Sequence, residues 1–355
     1  MTIFESIQQS VAKKLPFVAY KKPNKSIVKG LFQKKDTLHI VENYAESGFV
    51  FAPFDIEKQA ILIPNKDAVL LEEEFIVEEF SELNRPQEIL EMSVVSSSAK
   101  KTHIKLVESG VEAIDKGLFK KVVLSRKEII ALSDFDIVAS FQKLLHSYPN
   151  AFVYVWFHPA IGLWLGASPE TLLKVTGNYF STMALAGTQI DKGVKEVVWH
   201  QKERDEQQFV TDYIVDAVTE VCVDVRKSEP KTVKAGNLLH LKTNISGKLN
   251  TQKFTLKTLI NALHPTPAVC GLPKEASKQF IVENESYDRS FYTGFLGELN
   301  MDDSELYVNL RCMCVENKLA HLYVGGGITK DSDPVLEWQE TVSKSETMKK
   351  ALSHL

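Results

Sequence analysis

Two hairpins with a long helix between them constrain this chain more than any other feature. TLLKVTG and NYFSTMALAG meet at Gly177-Asn178, and SELYVNLRCMCV meets KLAHLYV at Glu316-Asn317. Both pairs are rich in β-branched and aromatic residues and are joined by turn-forming residues, which is the pattern of antiparallel hairpins. Between them the spacing predicts a helix over about residues 194–224. Another is predicted near 102–117, with Ile104, Val107, Val111 and Ile114 at helical intervals. Further strands are read at KVVLSRKEII, AFVYVWFH and GLWLGAS, and shorter ones at SIVKGLF, TLHIVENY, GFVFAPF and QAILIP within residues 26–72. Hairpins punctuated by helices are not the regular alternation that a parallel sheet needs, so the fold class is α+β with mostly antiparallel sheets. The polar, serine-rich stretch at 81–101 reads as a connection. It divides the chain into a β-rich part, 1–97, that completes the fold, and a catalytic part, 98–355.

Composition excludes several function classes. A chain of 355 residues, 44% apolar, can bury one large core or two moderate ones. A net charge of −4 without long basic runs argues against nucleic-acid binding. No stretch approaches the length of a membrane span. The leading segment MTIFESIQQSVAKKLPF is amphipathic and lacks an apolar h-region, so a cytoplasmic location is expected. Cys222, Cys270, Cys312 and Cys314 have no zinc or CxxC spacing and are expected to be reduced and buried.

Chemistry-bearing residues gather toward the C-terminus. In YVGGGITKDSDPVLEWQETVSKSETM, Gly325, Gly326 and Gly327 end an apolar strand, and Asp333-Pro334 is a helix-start signal. Glu337, Glu340 and Lys344 then share one stripe of the helix, while Val335, Trp338, Val342 and Leu352 form a second stripe expected to face the core. In the long helix, Glu206 lines up with Val210, Ile214 and Ala217, one turn after Glu203. A carboxylate in an apolar stripe needs a neutralising partner. Inward glutamates on two helices suit a hard cation, and Mg²⁺ fits best because it takes few carboxylates and keeps waters.

Other residues carry opposing readings. Lys121 heads an apolar strand, where it is a flanking charge or, if desolvated, a base. Glu170 sits between two apolar strands, where it is a turn residue or a buried, protonated acid. Arg311 is read on one strand face with Tyr307, Asn309 and Met313, suited to gripping a carboxylate or to a cross-strand ion pair. His240 is a substrate contact or a satisfied core histidine.

The chain resembles the chorismate-binding enzyme family, which includes the anthranilate, aminodeoxychorismate, isochorismate and salicylate synthases. Ten blocks carry the resemblance in the family's order across about residues 98–350: KVVLSR, GASPETLL, MALAGT, KERDEQQF, HLKTNISG, LHPTPAVCGLP, ESYDRSFYTGFLG, NLRCMC, VGGGI and DPVLEWQET with a following lysine. The resemblance implies the fold of aminodeoxychorismate (ADC) synthase, two largely antiparallel sheets packed together with flanking helices. A lysine at position 121 and the HPTPAVCGLP loop resemble the water-using members, above all the isochorismate synthases. A salicylate synthase is the alternative. By this resemblance Lys121 is the base that activates water for attack at C2 of chorismate, and Glu170 is the acid that protonates the departing C4 hydroxyl. Glu206 and Glu340 hold Mg²⁺, supported by Glu203 and Glu337. Gly187, His240, Ala268, Tyr292, Arg311, Gly325 and Lys344 contact the substrate. The resemblance further implies a monomer without a glutamine amidotransferase partner, and leaves menaquinone and siderophore synthesis both open as destinations of the product. Ser290, Glu298 and Gly326 depart from the residues many members carry, which are glycine, tryptophan and alanine.

Overall fold

The computed structural model describes residues 1–76, 97–191, 193, 197–235, 238–300 and 303–352. Most of the polar connection at 81–101 falls outside them.

The strands in chain order are β1 (Phe17–Lys21), β2 (Ile27–Gln33), β3 (His39–Ile40), β4 (Gly48–Ala52), β5 (Ile61–Pro64), β6 (Ala68–Glu74), β7 (Lys121–Ala131), β8 (Phe152–His158), β9 (Gly162–Ser168) and β10 (Thr171–Thr176). They continue with β11 (Tyr179–Ile190), β12 (Cys222–Lys227), β13 (Lys231–Ala235), β14 (Leu238–Leu249), β15 (Gly271–Leu272), β16 (Phe295–Leu299), β17 (Ser304–Val308), β18 (Cys312–Glu316) and β19 (Leu319–Ile328). The helices are α1 (Ile3–Lys13), α2 (Ser97–Asp115), α3 (Ile137–Ser147), α4 (Gln201–Thr219), α5 (Leu256–Leu263), α6 (Lys274–Asn284) and α7 (Pro334–Leu352).

These strands form two sheets, one ordered β15-β7-β19-β18-β9-β8-β1-β2-β6 and the other β12-β14-β11-β10-β17-β16-β4-β5-β3, with β13 also on β14. Neighbouring strands run antiparallel, as in Gly325 opposite Ser125 and Ala19 opposite Val155. Strands of residues 17–74 extend both sheets, β1 beside β8 and β4 beside β16.

The sheets pack face to face over an aromatic layer that includes Tyr20, Phe51, Tyr154, Trp156, Phe291 and Tyr307. Phe152 stacks on Tyr307 at 4.1 Å and Phe51 on Phe291 at 4.3 Å. Helices close the outer faces: α1, α3 and α7 pack on the first sheet, and α4 and α5 on the second. Strands such as FVAYK and GFVFA are therefore buried on both faces and read as continuous apolar runs rather than alternations.

Several local expectations shift. The long helix runs only from Gln201 to Thr219, because the Cys222–Lys227 segment, with Val223 and Val225, is taken up as an edge strand on β14. The second hairpin turns at Asn317-Lys318, one residue later than expected, and both residues have left-handed φ (51° and 60°). α7 starts as anticipated, with Asp333 accepting from the backbone of Val335 and Leu336. Its buried stripe is rotated, however. Val335 is 42% exposed, whereas Glu337, Trp338, Thr341 and Ser345 are buried. The four cysteines are free and buried.

Candidate active site

Carboxylates from α4 and α7 converge on the glycine run that ends β19. A side chain at Gly327 would begin 2.3 Å from Glu206 Oε1 and 3.0 Å from Lys121 Cε. One at Gly326 would begin 3.2 Å from Glu337 Oε2 and 3.6 Å from Glu340 Oε1. The glycines therefore leave room for acids against the backbone. β7 lies alongside, with Gly327 opposite Val123, which brings Lys121 at the head of β7 to the same place.

Each of three acids is closed by a lysine. Lys121 Nζ is 2.9 Å from Glu206 Oε1, Lys344 Nζ is 2.6 Å from Glu340 Oε1, and Lys202 Nζ is 2.7 Å from Glu337 Oε1. Lys344 also donates to the Gly325 carbonyl at 2.9 Å, and Ser332 Oγ donates to Glu337 at 2.7 Å. Burial would raise Glu206, but Lys121, with Lys344 and Lys202, outweighs it and holds this carboxyl below its ordinary range. Glu337 goes the other way, raised by burial and by the neighbouring Glu340 charge. Lys202 was missed as a site residue. It stands one turn before Glu206 on α4, an i,i+4 pattern that in sequence looks like surface decoration.

Glu170 and Arg311 occupy the two places where the chain passes between sheets, from β9 to β10 and from β17 to β18. Arg311 is thus not on one strand face with Tyr307 and Met313, as the sequence reading had it. Tyr307 and Met313 belong to different sheets, and Arg311 connects them with a left-handed φ of 47°. A non-glycine residue held there costs free energy that the surrounding structure must offset. Burial pulls the Arg311 guanidinium below its ordinary value, opposed by Glu340. Glu170 is 3% exposed, and burial raises its carboxyl to about 8 against the opposing pull of Lys121 and Lys344. It is protonated at neutral pH and can donate a proton.

Gly187 forms a bulge in β11, where the register to β14 shifts and φ reaches 73°. A side chain there would meet the Glu203 carbonyl at 3.0 Å, and the Gly187 carbonyl accepts from His240 Nδ1 at 3.1 Å. Burial, then Arg311 and Lys344, push His240 down to about 3, so it is neutral. With Nδ1 committed, its Nε2 is buried without a partner. Tyr292 is buried, its phenol pushed up by burial, and stacks on Tyr323.

One cleft gathers Glu170, Gly187, Glu206, His240, Ala268, Tyr292, Arg311, Gly325, Glu340 and Lys344 on its walls. Lys121, Glu203 and Glu337 stand behind that lining. Among the described residues no three Asp, Glu, His or Cys side chains form a ready-made metal set, since lysines hold the acids. The donors are nevertheless all carboxylate oxygens, and Glu203 Oε2 is buried without a partner. That donor chemistry fits a hard divalent cation.

A second buried cluster keeps this wall in place. Glu285 accepts from the backbone and hydroxyl of Ser125 at 2.7 Å each, and Arg289 returns to Glu285 and to the Val123 and Val269 carbonyls. Of the departures from the family pattern, Ser290 has a φ of 51°, which accounts for glycine elsewhere. Glu298 is buried between the sheets against Tyr20, with Lys22 and Lys29 as ion-pair partners, away from the cleft.

Comparison with known proteins agrees. The family model described as chorismate binding enzyme matches residues 45–353. The chain is 34% identical over 242 residues to isochorismate synthase EntC of Escherichia coli, covering 64% of this chain and 61% of EntC. It is 32% identical over 266 residues to isochorismate synthase DhbC of Bacillus subtilis, covering 69% and 66%. These alignments thus span somewhat under two thirds of each curated relative. Among solved structures, a Bacillus anthracis protein assigned as a 2,3-dihydroxybenzoate-specific isochorismate synthase superposes with a TM-score of 0.81 at 26% identity over 99% of both chains. Anthranilate synthase component I of Streptococcus pneumoniae shares the fold, with a TM-score of 0.69 at 18% identity, 94% of this chain and 89% of that one being covered. With a matching family model over most of its length and the site residues gathered in one cleft, the chain belongs to the chorismate-binding enzymes.

Proposed function

We propose that this enzyme is an isochorismate synthase that interconverts chorismate and isochorismate with Mg²⁺. The observation that carries the reading is a buried carboxylic acid, Glu170, held protonated to about pH 8 in the same cleft as a fully buried lysine, Lys121. In this reading Lys121 Nζ takes a proton from water as its oxygen bonds to C2 of the ring. The ring double bonds shift, the C4–O bond breaks, and Glu170 supplies the proton that lets the C4 hydroxyl leave as water. One hydroxyl replaces another, so the step is close to thermoneutral and reversible. Arg311 pairs with a substrate carboxylate, and neutral His240 offers Nε2 as an acceptor to a hydroxyl. Glu206 and Glu340, with Glu203 and Glu337 beside them, would hold Mg²⁺, which supplies positive charge to offset a carboxylate of the dianionic substrate. Residues 1–97 complete the two sheets around the catalytic part, and the buried free cysteines accord with a cytoplasmic location.

Incubation of the full chain with chorismate and Mg²⁺ tests the reading by product identification. Isochorismate should form with or without ammonium, and chelation of the metal should abolish it. Salicylate with pyruvate as first products, or amination dependent on ammonium, would sink it. A second expectation concerns the glycine run. Gly327→Ala should lower kcat/KM by about 10²-fold by displacing Glu206, since an ångström-scale misplacement has that order of effect. Gly326→Ala, meeting only the end of Glu337, should retain activity within about tenfold by the same reasoning. Equal losses in the two would separate the glycines from the placement of Glu206.

A further inference from the structure

Behind Arg311 lies a second cavity, enclosing about 1220 Å³ including its open mouth. It shares Pro169, Leu185 and Arg311 with the active-site cleft, so those residues are a wall common to both. Its described lining residues include three cations, Lys234, Lys242 and Arg311, and no carboxylate. Lys234 is committed to Asp191 at 2.6 Å and is largely exposed. Lys242 is different. It is half-buried on β14 directly opposite Leu185 of the shared wall. It lies two residues after His240, hence on the same strand face as the histidine that lines the cleft. Burial lowers its ammonium from the ordinary value, with no neighbouring acid to oppose this.

We infer that this cavity is the entry vestibule for the anionic substrate, and that Lys242 is the residue that draws the dianion toward Arg311. The inference rests on chorismate as substrate. Cations ordered as Lys242, Arg311 and Lys344 lead from the vestibule to the cleft, and a concave, acid-free surface concentrates an anion by focusing the field. The cleft itself contains Glu206 and Glu340, so it attracts a dianion less strongly than the vestibule.

The test follows chorismate consumption, which is independent of the product formed, in wild type, Lys242→Gln, Lys242→Arg and Lys234→Gln at low and high NaCl. Lys242→Gln should raise KM and lower kcat/KM by about 3–10-fold at low salt with kcat unchanged, and the difference should close near 0.5 M salt, where screening is strong. Lys242→Arg should behave as wild type, and Lys234→Gln should have little effect because its charge is already cancelled. An unchanged KM in Lys242→Gln, an equal effect in Lys234→Gln, or a gap that salt does not close would each overturn the vestibule. Isochorismate production by wild type alongside such a result would leave the proposed function standing.

Discussion

Replacing Lys121 with alanine is expected to lower kcat for chorismate turnover by about 10²–10⁴-fold, the range for losing a positioned general base, with little change in KM. Lys121 is fully buried, and its ammonium is neutralised by Glu206 at 2.9 Å. The same replacement strands Glu206, and a buried pair broken from one side typically costs about 3–5 kcal/mol. Glu206 retains some exposure through the cleft, 14% of its side chain, so the lower end of that range is expected. A metal readout separates base from strut. Without the lysine, Glu206 Oε1 is free for a divalent cation, so Lys121→Ala should bind Mg²⁺ more tightly than wild type in the absence of substrate, measured by calorimetry. Turnover within about threefold of wild type would remove Lys121 from the chemistry, since a general base contributes far more.

Glu170→Gln should lower kcat by a similar factor of about 10²–10⁴, because an amide of the same shape cannot release a proton to the leaving hydroxyl. Wild-type rates should fall as pH rises through about 8, where Glu170 loses its proton, and the variant's residual rate should lack that limb. The stability effect has the opposite sign to the activity effect. Glu170 is raised in the folded state from an ordinary 4.5 to about 8. The unfolded chain therefore ionises first, and stability is full below about 4.5 and is lost as pH rises to about 8. The loss accumulates on the order of 1.4 kcal/mol per pH unit across that window. Glu170→Gln cannot ionise in either state, so relative to wild type it should gain stability between pH 5 and pH 8 in denaturant melts. The same pH slope in both proteins would show that Glu170 does not carry a buried proton. A residue that destabilises the fold at working pH while serving the reaction is a common stability–activity conflict.

The order of helices and hairpins was legible in the sequence because strand and helix periodicities are local. Asp333-Pro334 marked the start of α7, and Gly177 marked its turn, for the same reason. Ten ordered blocks identified the family without reference to any contact. Within the site, Glu337, Glu340 and Lys344 were visible as one stripe because helical spacing alone places them together. Tertiary structure decided what that stripe faces. Val335 was expected inside and is outside, because the acids rather than the apolar residues of the first turn meet the glycine backbone of β19. Only the packing of α4 against α7 shows that Lys202 belongs to Glu337 and Lys121 to Glu206, since these partners are 135 and 85 residues apart. Arg311 looked strand-borne because its neighbours alternate, and nothing local reveals that the chain changes sheets there. Local spacing determined which residues share a face, and long-range burial decided which charges must find one another, because the cost of an unpaired charge arises only once water is excluded.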